Sequence, residues 1–202
     1  MKKVLLSLTP LVAGIAIAAW PADPDSYRHA VVKWHESGQA SSAYYLQLDA
    51  SGRSYEHGPY TEWHANGQKK GEGAWQNGKR EGVVTQWHGN GQKHYEGTYK
   101  NGKKDGVWTV WHDNGQKKED STYKNGKKKG VCTYWDENGQ KREEGTFKND
   151  KKEGVWTYWW SNGQKRVEAT WQNGKMEGVW TFWDDKGNVT KTETYKNGEL
   201  VK

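Results

Sequence analysis

From Tyr60 onward, apolar residues fall in two kinds of short run that recur with an unchanging spacing. The first kind is Gly-Val-Trp-Thr-x-Trp, as in Gly106-Val107-Trp108-Thr109-Val110-Trp111. β-Branched and aromatic residues dominate it, so it reads as a strand. The second kind is more polar and runs from Gln116 to Lys124, with Tyr123 near its end. Asn-Gly pairs separate the runs, at Asn114-Gly115 and again at Asn125-Gly126. Asn114 and Gly115 both tolerate φ > 0, as a two-residue hairpin turn demands. Each unit is therefore predicted as two antiparallel strands and two turns. The fold class expected is all-β: an elongated single antiparallel β-meander of stacked hairpins.

The period is 24 residues. Trp63, Trp87, Trp111, Trp135, Trp159 and Trp183 hold it without a slip, and Asn-Gly-Gln follows the first five, from Asn66-Gly67-Gln68 to Asn162-Gly163-Gln164. A period of this size means stacked supersecondary units rather than one central core. A register check agrees. If Asn114 and Gly115 form the turn, Trp108 lies opposite Ser121, Trp156 opposite Ala169, Cys132 opposite Gly145, Val84 opposite Gly97 and Tyr60 opposite Gly73. Large faces small, as when a ring covers a neighbouring glycine. Trp180 opposite Glu193 breaks the pattern. Equivalent residues sit two strands apart, about 9.5 Å, so six repeats span roughly 55–60 Å.

Residues 28–62 read as a degenerate capping repeat, with Trp34-His35-Glu36-Ser37-Gly38-Gln39 as its turn and the extra residues around Asp49 to His57. Residues 63–202 read as six full repeats. Residues 1–19 have the form of an export signal: Lys2 and Lys3, an uncharged stretch from Val4 to Ala19, and a small-x-small step at Ala16-Ile17-Ala18. An uncleaved membrane anchor is the alternative. Residues 20–27 read as a tether. The location expected is periplasmic or secreted.

Composition sharpens the picture. Hydrophobic residues make up only 32% of the 202, but 14 are Trp and 11 are Tyr. Order must then come from aromatic rows. The net charge of +6 arises from interleaved signs, as on a solvated surface. The single cysteine, Cys132, forbids an intrachain disulfide and sits in the packing column of Trp108 and Trp156.

The pattern Gly-Val-Trp-Thr-x-Trp-x-x-Asn-Gly-Gln-Lys-x-x-Glu-x-x-Tyr-Lys-Asn-Gly-Lys-x-x-Gly resembles the MORN repeat in its bacterial variant, best at Gly106 to Gly130 and Gly154 to Gly178. The resemblance implies hairpin repeats in an elongated sheet and a role in protein scaffolding. For some relatives it implies contact with phospholipid, and some bacterial variants are antitoxins of toxin–antitoxin pairs. It implies no catalytic residues and no cofactor.

Candidate chemistry follows the columns. His35, His64, His88 and His112 succeed the repeat Trp. Ligands of one metal lie within about 2.1 Å of it, whereas these rings repeat at about 9.5 Å, so they read as surface histidines. In the expected register His64, His88 and His112 face Lys69, Lys93 and Lys117, which disfavours protonation. The candidate binding surface joins Trp63, Trp87, Trp111, Trp135, Trp159 and Trp183 with Lys69, Lys93, Lys117, Lys141 and Lys165. A second lysine column runs through Lys79, Lys103, Lys127, Lys151 and Lys175, and an acidic one through Glu72, Glu96, Asp120, Glu144 and Glu168. No catalytic residue, metal site or cofactor is expected. The partner expected is another protein. Alternatives are an envelope-binding role toward cell-wall glycan or anionic lipid, and an antitoxin or immunity role. Nucleic acid is disfavoured, because the acidic column would repel phosphates.

Overall fold

The computed structural model describes Val4–Leu6 and residues 29–201. All regular elements among the described residues are strands. The chain divides into two compact units, Met1–Lys103 and Lys104–Lys202. The first holds β1 (Val4–Leu6), β2 (His29–Trp34), β3 (Ala40–Leu48), β4 (Ser54–Trp63), β5 (Lys69–Gln76), β6 (Lys79–Trp87) and β7 (Lys93–Lys100). The second holds β8 (Lys103–Trp111), β9 (Lys117–Lys124), β10 (Lys127–Trp135), β11 (Lys141–Lys148), β12 (Lys151–Trp159), β13 (Lys165–Gln172), β14 (Lys175–Trp183), β15 (Val189–Lys196) and β16 (Glu199–Val201). Within each unit the strands lie side by side in chain order and pair antiparallel. This is the meander that the periodicity predicts. Apart from Val4–Leu6, whose backbone pairs with β2, the leader and the tether lie outside the described residues.

The turns divide their labour differently from the expectation. At the first turn Asn114 keeps a negative φ and only Gly115 is left-handed, at φ 84°. His112 N–H donates to Gln116 O at 2.8 Å and Gly115 N–H to His112 O at 3.0 Å. Asp113-Asn114-Gly115 is thus a three-residue loop closed on a glycine bulge. Trp111 consequently pairs with Lys117, not Lys118, and a register shift after Val110 restores the predicted pairing. The two-residue turn with both residues at positive φ occurs at the second reversal, where Asn125 has φ 52° and Gly126 φ 85°. All six predicted cross-strand pairs are present, from Tyr60 with Gly73 to Trp180 with Glu193. The capping repeat gains length by using the three-residue turn for its second reversal too: Asp49 N–H donates to Arg53 O at 2.8 Å. The Asp49 carboxylate accepts from both Ser51 and Arg53 N–H, at 2.8 and 2.9 Å.

Within each unit the buried side chains line one face of the sheet. Val84, Trp108, Cys132 and Trp156 are buried, the last two completely. Trp156 presses on Gly145, and its indole N–H donates to Thr146 O at 3.1 Å. Basic side chains fill the gaps between these rings. Lys104 Nζ lies 4.1 Å from the Trp108 centroid and Lys152 Nζ 3.9 Å from that of Trp156. The Arg80 guanidinium lies 5.4 Å from both Trp75 and Tyr99. Lys128 Nζ donates to Glu119 at 2.7 Å and to the Tyr134 hydroxyl at 2.6 Å. Burial opposes the Lys128 charge, yet these hydrogen bonds outweigh it and raise its pKa. With few aliphatic residues available, lysine stems supply the apolar filling and their ammonium groups settle on ring faces.

Candidate functional site

The opposite face carries the predicted binding residues. A strand alternates its side chains, so the Trp63 column points away from the core row. Register places Lys69 beside Trp63, Lys93 beside Trp87, Lys117 beside Trp111, Lys141 beside Trp135 and Lys165 beside Trp159. Trp183 pairs with Val189 instead. Each lysine then makes two commitments. Three residues on it meets the acidic column: Lys69–Glu72 at 2.8 Å, and Lys93–Glu96, Lys117–Asp120, Lys141–Glu144 and Lys165–Glu168 at 2.7 Å. It also reaches over the tryptophan of the next repeat, at 5.2 Å for Lys69 over Trp87 and 5.7–5.8 Å for Lys117, Lys141 and Lys165 over Trp135, Trp159 and Trp183. The structure therefore brings the two predicted columns together as a ladder of carboxylate, ammonium and indole. The Lys141 hydrogen bond, chiefly, holds the Glu144 carboxyl below its usual range, helped by Thr133.

Beside the ladder runs a feature that sequence reasoning passed over. Val83, Val107, Val131, Val155 and Val179 are 55–62% exposed, one per repeat. They face Thr98, Thr122, Thr146, Thr170 and Thr194 across the strand. The signal is the Val that follows the strand glycine in five repeats, one residue before the core column and therefore on the other face.

The turns hold successive repeats together. His35 Nε2 contacts Trp63 O at 3.1 Å, His64 Nε2 contacts Trp87 O at 3.0 Å and His112 Nε2 contacts Trp135 O at 3.2 Å. In the same column Trp160, whose indole can only donate, bonds Trp183 O at 3.2 Å. The histidines thus act as donors to the next repeat. They do not face the lysines, because the glycine bulge moves Lys69, Lys93 and Lys117 opposite the tryptophans. Asn66, Asn114 and Asn162 donate in parallel to Gly89 O, Glu137 O and Asp185 O at 2.7–2.8 Å. At the other row of turns, His57, Glu81, Asp105, Glu153 and Glu177 accept the N–H of Asn77, Asn101, Asn125, Asn173 and Asn197. One repeat departs from all three rules. Lys129 replaces the acceptor, Asp136 bonds the N–H groups of Asn138 and Gln140 in its own loop, and among the described residues Asn138 makes no bond to the next repeat.

Cys132 does not join Asp136 and Glu137 in a cleft. It is buried in the core row, and burial raises its thiol pKa. No group of His, Cys, Asp or Glu arranged to hold a metal occurs among the described residues.

An array of near-identical hairpins, each presenting the same short strip of side chains, is a repeat-built binding scaffold. The MORN repeat variant matches six consecutive segments, residues 56–77, 80–101, 104–125, 128–149, 152–173 and 176–197. The plain MORN repeat also matches residues 72–83. The chain belongs to the MORN repeat variant family. These repeats are binding modules for proteins or membrane lipids, not a catalytic family. No curated protein matches the chain.

Proposed function

We propose that the chain is a non-enzymatic scaffold that binds another protein through the valine–threonine stripe and the ladder beside it, in the periplasm or at the cell surface. The carrying observation is the exposed valine in five consecutive repeats, which leaves apolar area in water at evenly spaced positions. An apolar strip of this kind suits a partner surface. Sugar stacking requires open ring faces, whereas the ring faces of Trp87, Trp135, Trp159 and Trp183 lie under lysines. Headgroup binding requires free ammonium groups, whereas the ladder lysines are paired with carboxylates. Neutralising a toxin would be one form of the same surface binding. The leader pattern at residues 1–19 supports export.

The test is a pull-down from envelope extract at low and high salt, read by mass spectrometry. It compares wild type with the triple variant Val107→Gln, Val131→Gln, Val155→Gln. One dominant protein held by wild type at both salts and lost by the variant is expected. Recovery of only lipid or cell-wall fragments, or a partner retained by the variant, overturns the proposal.

A further inference from the structure

The departing repeat adds charge where its neighbours remove it. In β10–β12, Lys127, Lys129, Lys148 and Lys151 are all exposed at the end nearest the second turns. Among the described residues none of the four makes an ion pair, in contrast with the ladder lysines. Lys148 lies directly opposite both Lys129 and Lys151. Like charges so placed oppose strand pairing. Lys129 also forfeits the bond that Glu81, Asp105, Glu153 and Glu177 make to the following turn. That turn is itself irregular: Asp150 takes the left-handed place, φ 67°, where the other second turns of the full repeats carry glycine. Its carboxylate accepts Lys128 N–H at 2.8 Å. The Asp150 bond returns part of what Lys129 forfeits, but nothing in the fold asks for a cation at 129, and a local rule broken there points to function.

Strand alternation puts Lys129 and Lys148 on the same face as Val131 and Val155. Four uncompensated cations thus border two exposed valines. Two strand spacings, roughly 9.5 Å, separate the outer strands that bring them together, the span of about three extended residues. We propose that this corner binds a short, carboxylate-rich, extended segment of a protein partner, its acidic side chains on the lysines and an aliphatic one on the valines. The assignment rests on the protein-binding reading above and adds the partner's chemistry. Phosphate surfaces fit less well, because the exposed valines offer them nothing.

The test uses fluorescence anisotropy of the full chain with a labelled eight-residue peptide alternating Glu and Val. A Lys-for-Glu peptide serves as comparison, and vesicles of phosphatidylglycerol in phosphatidylcholine are assayed by sedimentation. The variant is Lys129→Glu with Lys148→Gln. Both replacements are residue types that the array itself carries in those columns (Glu81 and Glu153; Gln76 and Gln172), so folding is not at risk. Lys175→Glu is the control. Expected are binding of the Glu-Val peptide alone, about tenfold weakening in the double variant, unchanged binding in the control and a higher melting temperature for the double variant. Equal binding by the double variant, or vesicle binding that exceeds peptide binding and falls with the same substitutions, overturns the assignment. An envelope partner retained by the double variant but lost with the valine variant would leave the scaffold reading standing and remove only the acidic chemistry.

Discussion

Substituting Gly145 by alanine tests whether the tryptophan row is a packed core or a loose covering. Gly145 does not have a positive φ, so alanine suits its backbone. Its added Cβ, however, would lie 2.2 Å from Trp156 Cδ2 and 2.4 Å from Cε2. Nothing at that distance can persist, so the indole must move. Trp156 is completely buried and donates to Thr146 O. Overpacking of this kind costs about 1–3 kcal/mol, and loss of the indole hydrogen bond about 1 more. The reduced freedom of the unfolded chain returns about 0.4–1 kcal/mol. A net loss of roughly 2–3 kcal/mol follows. The array also contains the remedy, since Ser121 stands beside Cys132 where Gly145 stands beside Trp156. Trp156→Cys alone should cost about 3–5 kcal/mol as a cavity. The pair Gly145→Ser with Trp156→Cys should cost less than the sum of its single changes by about 1–2 kcal/mol, as coupled neighbours do. Urea unfolding followed by far-UV circular dichroism supplies the cycle. Additive costs, or an alanine variant as stable as wild type, would refute the close contact on which the argument depends.

Two further expectations concern the same rows. Burial pushes Tyr60 up to about 12 against the opposing Arg80 charge, and burial also raises Tyr95, Tyr123 and Tyr134. A raised folded-state value means stability that is complete below the ordinary tyrosine pKa of about 10 and is lost as pH climbs toward 12; absorbance at 295 nm should show late, cooperative tyrosinate formation coinciding with unfolding, and titration near 10 with the fold intact would contradict it. With the bonds at positions 129, 136 and 138 absent and only the Asp150 link to Lys128 in their place, the junction from β10 to β12 should be the easiest to open in the second unit. Hydrogen exchange should be faster there than across β12 to β14, where Trp160, Asn162 and Glu153 supply all three bonds, and equal protection would count against the role assigned to them.

The period made the strands, their order and the core row legible, because a 24-residue repeat repeats its burial pattern as well as its residues. The first turn was misread for a definite reason. Asn-Gly suits a two-residue turn, but the donor-rich loop from His112 to Gln116 closes around three residues, and the glycine bulge absorbs the difference. That error moved the histidines against the wrong neighbours while leaving Trp108 opposite Ser121, since the bulge ends before the core is reached. The expected register sets the lysine column opposite the histidines, whereas the bulge carries it to the tryptophans, and its pairing with Glu72 and its equivalents turns a basic edge into a neutral ladder. The cations that fill the core were invisible for another reason. Arg80, Lys104, Lys128 and Lys152 look like solvated residues until the rings they cover are in view.

The columns also show what the fold constrains. In the first-turn row it requires a ring N–H aimed at the next repeat's carbonyl, and imidazole or indole serves equally well. In the second-turn row it requires an acceptor, which glutamate, aspartate or a histidine Nδ1 can provide. Residue identity is therefore free wherever the bonding role is kept. Function in such an array has to be sought where the role itself is abandoned, because only there has the sequence given up a bond between repeats. Lys129 and Asp136, at the two ends of the strand that carries Val131 and Cys132, meet that condition together. The exposed valines recur in five of the six matched repeats and define a general adhesive strip. A lysine in the acceptor column occurs once, at Lys129, and it gives that strip a single place with its own chemistry.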